Sequence, residues 1–194
     1  MVNLELSVIT DEFSKEFDEV CEYLQQQDVK FVELRNVWVG NIIEIDDQTA
    51  DDALDILNDC GLKVSALATP LLKCLPPTIN PEPKKVTNYT ENWRYNYSKI
   101  DRAIALAEKF DCQYIRVFAY EGDWAIPPVS VWNNWSIYQE WREAIKSLSQ
   151  KTIPKNKILI CENDSGFNHT LEQIEKIGED NTTANFGMLF DTNN

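Results

Sequence analysis

A chain of 194 residues can bury one sizeable core, and 43% hydrophobic with 26% charged residues is the composition of an ordinary globular domain. Its formal net charge of −14, from 32 acidic and 18 basic residues, argues against nucleic-acid backbones and anionic membranes as partners, because both would repel it. No apolar run approaches the roughly 18 residues that span a bilayer, and the start MVNLELSVITDEF lacks the basic flank and apolar segment of a signal peptide.

The first apolar run, LELSVIT (4–10), leads into a helix expected over about 14–27, with Ser14 as N-cap and Phe17, Val20, Cys21 and Leu24 on one face. KFVELR (30–35) is the second run. The helix after it, about 49–60, carries Ala53, Ile56, Leu57 and Cys60, and Gly61 stands where a left-handed cap is needed. LKVSALA (62–68) is the third run, followed by a Pro-rich excursion over 74–89 and a helix expected over about 90–110. CQYIRVFAY (112–120) is the fourth. Its excursion, 120–135, holds three tryptophans and two prolines, and leads to a helix from Ser136 with Ile137, Trp141, Ile145 and Leu148 inward. KILICEN (157–163) precedes a helix starting near Thr170 and closed by Gly178, and NFGMLFD (185–191) is the sixth run.

These runs are nearly continuous in Val, Ile, Leu and Phe, as strands covered on both faces are, and each alternates with a helix. The fold class is α/β with a parallel sheet. No GxGxxG or GxxxxGKS loop follows the first strand, which favours a (β/α)8 barrel over a nucleotide-binding sheet. The pattern supplies about six of the eight units, so the expectation is a single incomplete barrel domain over 1–194, cut after its sixth strand. Cys21, Cys60, Cys74, Cys112 and Cys161 form no CxxC pair and most fall on inward faces, which suits reduced thiols and a cytoplasmic protein.

Polar residues at strand ends are the candidates for chemistry: Asp11, Glu12, Glu33, Arg35, Lys73, Arg116, Glu162, Asn163, Asp164, Asp191, Thr192 and Asn193. A loop residue that has merely reached solvent explains any one of them. It does not explain Glu162 and Asp191 together, because they follow LIC and MLF directly, where the chain is still leaving the barrel interior. Paired carboxylates there suit a divalent cation. The tryptophans of 120–135 either cover a sugar ring or pack over the barrel mouth.

With ITDEFS, FVELRNVWVGNIIEI, GLKVSALATPLLK, CQYIRVFAY, ILICENDSG and MLFDTNN in order, the chain resembles the sugar phosphate isomerase/epimerase group of xylose isomerase-like TIM barrels over nearly all its length. The resemblance implies a divalent metal (manganese, magnesium, cobalt or zinc) held by Glu162 and Asp191, with a His and a second Glu from strands seven and eight. It implies isomerisation or epimerisation of a small carbohydrate next to a carbonyl, with Glu162 also carrying a proton. Glu33, Arg35, Lys73, Arg116 and Asn163 would line the substrate side. The sole histidine, His169, follows the fifth strand instead and reads as a solvent-facing residue beside a helix cap. Two carboxylates alone make a weak metal site. The alternatives are a non-catalytic remnant, a half that acts after pairing with another chain, and an apurinic-site nuclease, which the charge and the single histidine disfavour. Exposed barrel edges would favour a homo-oligomer.

Overall fold

The computed structural model describes residues 5–38, 40–81, 93–122, 125–164, 166–168, 170–182 and 185–192. His169, Asn193, the second half of the Pro-rich excursion (82–89) and the expected helix start at Thr90 lie outside the described residues. The strands are β1 (Ser7–Ile9), β2 (Phe31–Leu34), β3 (Asn36–Val37), β4 (Gly40–Asn41), β5 (Lys63–Leu71), β6 (Tyr114–Val117), β7 (Ile158–Glu162) and β8 (Phe186–Leu189). The helices are α1 (Thr10–Phe13), α2 (Phe17–Gln26), α3 (Asp47–Asp59), α4 (Trp93–Ser98), α5 (Ile100–Lys109), α6 (Ser136–Thr152) and α7 (Leu171–Asp180). Six strands form one parallel sheet of order β1-β2-β5-β6-β7-β8, and β3 and β4 form a separate antiparallel pair. The sheet order follows the chain order, as consecutive right-handed crossovers require. No helix among the described residues is long and apolar enough to cross a membrane.

The fold divides into two compact units, 1–69 with 102–115 and 70–101 with 116–194. In the first, β1 and β2 pair in register Ser7 to Phe31 and Ile9 to Glu33, and β2 meets β5 with a shift between Val32 and Glu33. Its core is built from Val20, Cys21, Leu24, Val32, Leu34, Ile42, Ile43 and Leu57. Helix α3 starts where the Asp46 carboxylate accepts the Thr49 amide at 2.8 Å, and Gly61 takes φ +67° after it.

In the second unit β7 and β8 pair from Leu159–Phe186 to Glu162–Leu189. Helix α6 buries Ile137, Tyr138, Trp141, Ile145 and Leu148, and the Trp141 indole donates to the Phe118 carbonyl at 2.8 Å. A capping box between Thr170 and Gln173 opens α7.

Several boundaries differ from the sequence reading. Ser14 is not an N-cap: it ends the short α1, and its hydroxyl accepts the Glu16 amide at 3.2 Å. The single helix expected up to residue 110 is broken at Lys99 into α4 and α5. Buried Asn96 is the reason, since its side chain accepts from the Leu72 amide at 2.6 Å and donates to the Pro70 carbonyl at 3.0 Å, which ties α4 to the end of β5. Gly178 lies inside α7, which runs on to Asp180 and is closed by Asn181 donating to the Ile177 carbonyl at 2.7 Å. All five cysteines are buried as thiols, none in a disulfide.

Candidate functional site

In the first unit the residues after β1 and β2 meet. The Arg35 guanidinium donates from Nε and Nη2 to Asp11 Oδ2, each at 3.0 Å, and from Nη1 to Glu12 Oε1 at 2.9 Å. Asn36 adds its amide at 3.2 Å and its side-chain Nδ2 at 2.7 Å to the same Asp11 carboxylate. Partial burial alone would raise the Asp11 pKa, but the hydrogen bonds from Arg35 and Asn36 outweigh it and hold it below the usual carboxylate range. Arg35, expected on the substrate side, is thus committed to a bidentate internal pair. Glu33 sits half-buried on β2, paired in register with Ile9 and Ala66.

The second unit gathers more. Arg116 is buried on β6, where Ile115 and Val117 are buried too, so that both faces of the strand are covered, and its guanidinium reaches Glu162, the last residue of β7, at 2.8 Å. Their side chains are 8% and 12% exposed, so this pair is desolvated. Lys73, two residues past β5, meets Asp164 at 2.5 Å. Both cations lie near the Phe118 ring, Lys73 at 4.6 Å and Arg116 at 4.9 Å from its centroid. Phe118 is therefore the common platform for two ion pairs at the carboxyl ends of β5, β6 and β7.

The ends of β7 and β8 are locked to each other. Asn163 donates to the Asp191 carbonyl at 3.0 Å and accepts the Asp191 amide at 2.6 Å. Asn168, fully buried, donates to the Glu162 carbonyl. The loop between is pressed onto the end of β6, where a Cβ on Gly166 would lie 2.1 Å from the Ala119 carbonyl oxygen and 2.5 Å from that of Tyr120. Only glycine allows that approach.

Of the tryptophans in the excursion after β6, Trp124 lies outside the described residues. Trp132 is fully buried and packs with Trp135, Tyr138 and Phe167 at centroid distances of 4.7–5.9 Å. Packing, not exposure to a ligand, is the role the structure gives it. Tyr97 and Tyr120 share a hydrogen bond of 2.5 Å, and burial, with Glu121 and Glu140 nearby, pushes the Cys74 thiol up to about 12.

Of the residues singled out in the sequence, Lys73, Arg116, Glu162, Asn163 and Asp191 all fall in the second unit, where Asn163 is tied to the Asp191 backbone. Phe118, Gly166 and Asn168, which shape this edge, were not singled out. The glycine four residues past Glu162 was the available signal, since a strand-end loop that needs glycine marks a close backbone approach.

The metal that the resemblance implies does not fit the described residues as they stand. Glu162 is already neutralised by Arg116 and Asp164 by Lys73. Among the described residues no group of three His, Cys, Asp or Glu side chains converges as a metal site.

No protein-family model and no curated protein matches the sequence. Solved structures do match in fold. A xylose isomerase-like TIM barrel protein from Mycobacterium smegmatis in complex with magnesium aligns at TM-score 0.63 and 12% identity, over 95% of this chain. The probable 3-DHS dehydratase AsbF of Bacillus anthracis aligns at 0.66 and 16%, over 97%. A D-psicose 3-epimerase determined in the presence of D-fructose aligns at 0.60 and 15%, over 96%. This chain spans 63% of the length of each of the three. At these identities the likeness speaks for fold alone, and the named activities already differ from one another. The chain has the fold of the xylose isomerase-like TIM barrels, as a partial barrel of six parallel strands with flanking helices.

Proposed function

We propose that the protein is a sugar or sugar phosphate isomerase/epimerase that moves a proton at the carbon next to a carbonyl. The observation that carries this reading is the desolvated Arg116–Glu162 pair on the Phe118 platform, beside Lys73, at the carboxyl ends of three neighbouring strands. Buried charges are costly, and parallel α/β folds concentrate chemistry at that edge. Glu162 is the group that accepts the proton from carbon. Arg116 and Lys73 supply the positive charge that takes up the developing oxyanion of the enediolate. Asn163 holds the Asp191 strand end in place. Glu33 and Arg35, proposed on the substrate side, do not carry the reading, because Arg35 is held by Asp11 and Glu12. A divalent cation at Glu162 and Asp191 would have to compete with Arg116. The D-psicose 3-epimerase among the structures of this fold supports the substrate class as an analogy only.

One observation favours a second reading. Each rim cation already has its own carboxylate, which is also what a purely structural network in a non-catalytic barrel would show. The test is a panel of aldoses, ketoses and their phosphates incubated with the whole chain and followed by NMR. Interconversion within one pair, reduced at least about a hundredfold by Glu162→Gln, supports the enzyme. A folded protein that converts none of the panel supports the second reading.

A further inference from the structure

We infer that in this protein the Arg116 guanidinium takes the place of a divalent cation at Glu162, so that the ion and Arg116 compete for one carboxylate. The inference starts from the reading of the β5–β7 edge as a site, and deepens it by naming where its positive charge comes from.

Three features fix the guanidinium there. It carries a permanent charge that no accessible pH removes. It contacts Glu162 at 2.8 Å with both side chains almost out of solvent, at 8% and 12% exposure. Its other side is occupied by the Phe118 face at 4.9 Å. A divalent ion arriving at Glu162 would either meet this charge at close range in a poorly screened place, or push it away and leave a buried arginine without its partner.

The carboxylate has little freedom to turn away. The Glu162 carbonyl is gripped by fully buried Asn168, and the next residue, Asn163, is tied to the Asp191 backbone by two hydrogen bonds. Its nearest acidic neighbour in sequence offers no help, because Asp164 is held by Lys73 at 2.5 Å. Among the described residues, each of these two carboxylates thus already has a cation against it.

The test measures metal binding and not turnover, so its outcome is independent of whether the isomerase reading holds. The whole chain, labelled with ¹³C at the glutamate carboxylates, is titrated with Mn²⁺ and followed by paramagnetic broadening and by calorimetry. The wild type is expected to show no saturable binding at Glu162 below about 1 mM. Arg116→Met is expected to bind at least about tenfold more tightly and to gain thermal stability with Mn²⁺. The added substitution Glu162→Gln should abolish both effects. Arg116→Lys, which keeps a point charge without the planar fork, should fall between. Selective broadening of Glu162 in the wild type at micromolar Mn²⁺ would overturn the inference, and this measurement decides even if the Arg116 variants do not fold. A folded Arg116→Met protein with unchanged affinity would overturn it as well.

Discussion

Asp11 and Glu162 are two carboxylates held by arginines in different ways, and they make different predictions. Asp11 receives four hydrogen bonds from Arg35 and Asn36, with its side chain 10% exposed. Its pKa is lowered from the ordinary 3.8, so its contribution to stability is fully present above that value and is lost as pH falls through the lowered one. Denaturant unfolding between about pH 5 and pH 2 should show this slope in the wild type and a shallower one in Asp11→Asn. Asp11→Ala, which strands Arg35 and Asn36, should cost about 1–3 kcal/mol at neutral pH. At Glu162 the pair is more deeply buried, and removing the charge on one side leaves the other uncompensated in a place poor in solvent. Arg116→Ala should therefore cost about 3–5 kcal/mol by the same measurement. The sequence already marked Arg35, Lys73, Arg116 and Glu162 as strand-end polar residues, but not whom they pair with. Pairing depends on which strand ends become neighbours, and a sequence pattern does not carry that.

Among the elements, the start of α7 was legible: the sequence placed it near Thr170, whose side chain caps the helix. Asp46, which caps α3, was not singled out, and that helix starts slightly ahead of the position read from the sequence. Asp46→Ala should lower stability by about 1 kcal/mol, read from the unfolding midpoint. The break between α4 and α5 was not legible, because it comes from buried Asn96 reaching Pro70 and Leu72, a contact 24–26 residues away in sequence. The β3–β4 pair escaped notice for a related reason: two-residue strands have no period to detect. The loop after β7 makes the sharpest prediction at this scale. With backbone carbonyls at 2.1 and 2.5 Å from any Cβ, Gly166→Ala must push that loop off the end of β6. A loss of about 3 kcal/mol or more is expected, together with displaced NMR signals at Glu162 and Asn163.

For the whole molecule, the sheet order leaves β1 and β8 as its first and last strands, with Leu6 68% and Phe190 60% exposed beside them. Open, apolar strand edges recruit other strands. The chain is expected to self-associate in sedimentation as its concentration rises, and Phe190→Lys should weaken that association. A stable monomer at all concentrations would remove this expectation. The central claim, proton transfer by Glu162 under the charge of Arg116 and Lys73, is tested most directly by running the conversion in D₂O. Any sugar the protein converts should take up deuterium at the carbon next to the carbonyl, and Glu162→Gln should suppress that label while the protein stays folded. Conversion without deuterium uptake, or uptake that Glu162→Gln leaves unchanged, would contradict it.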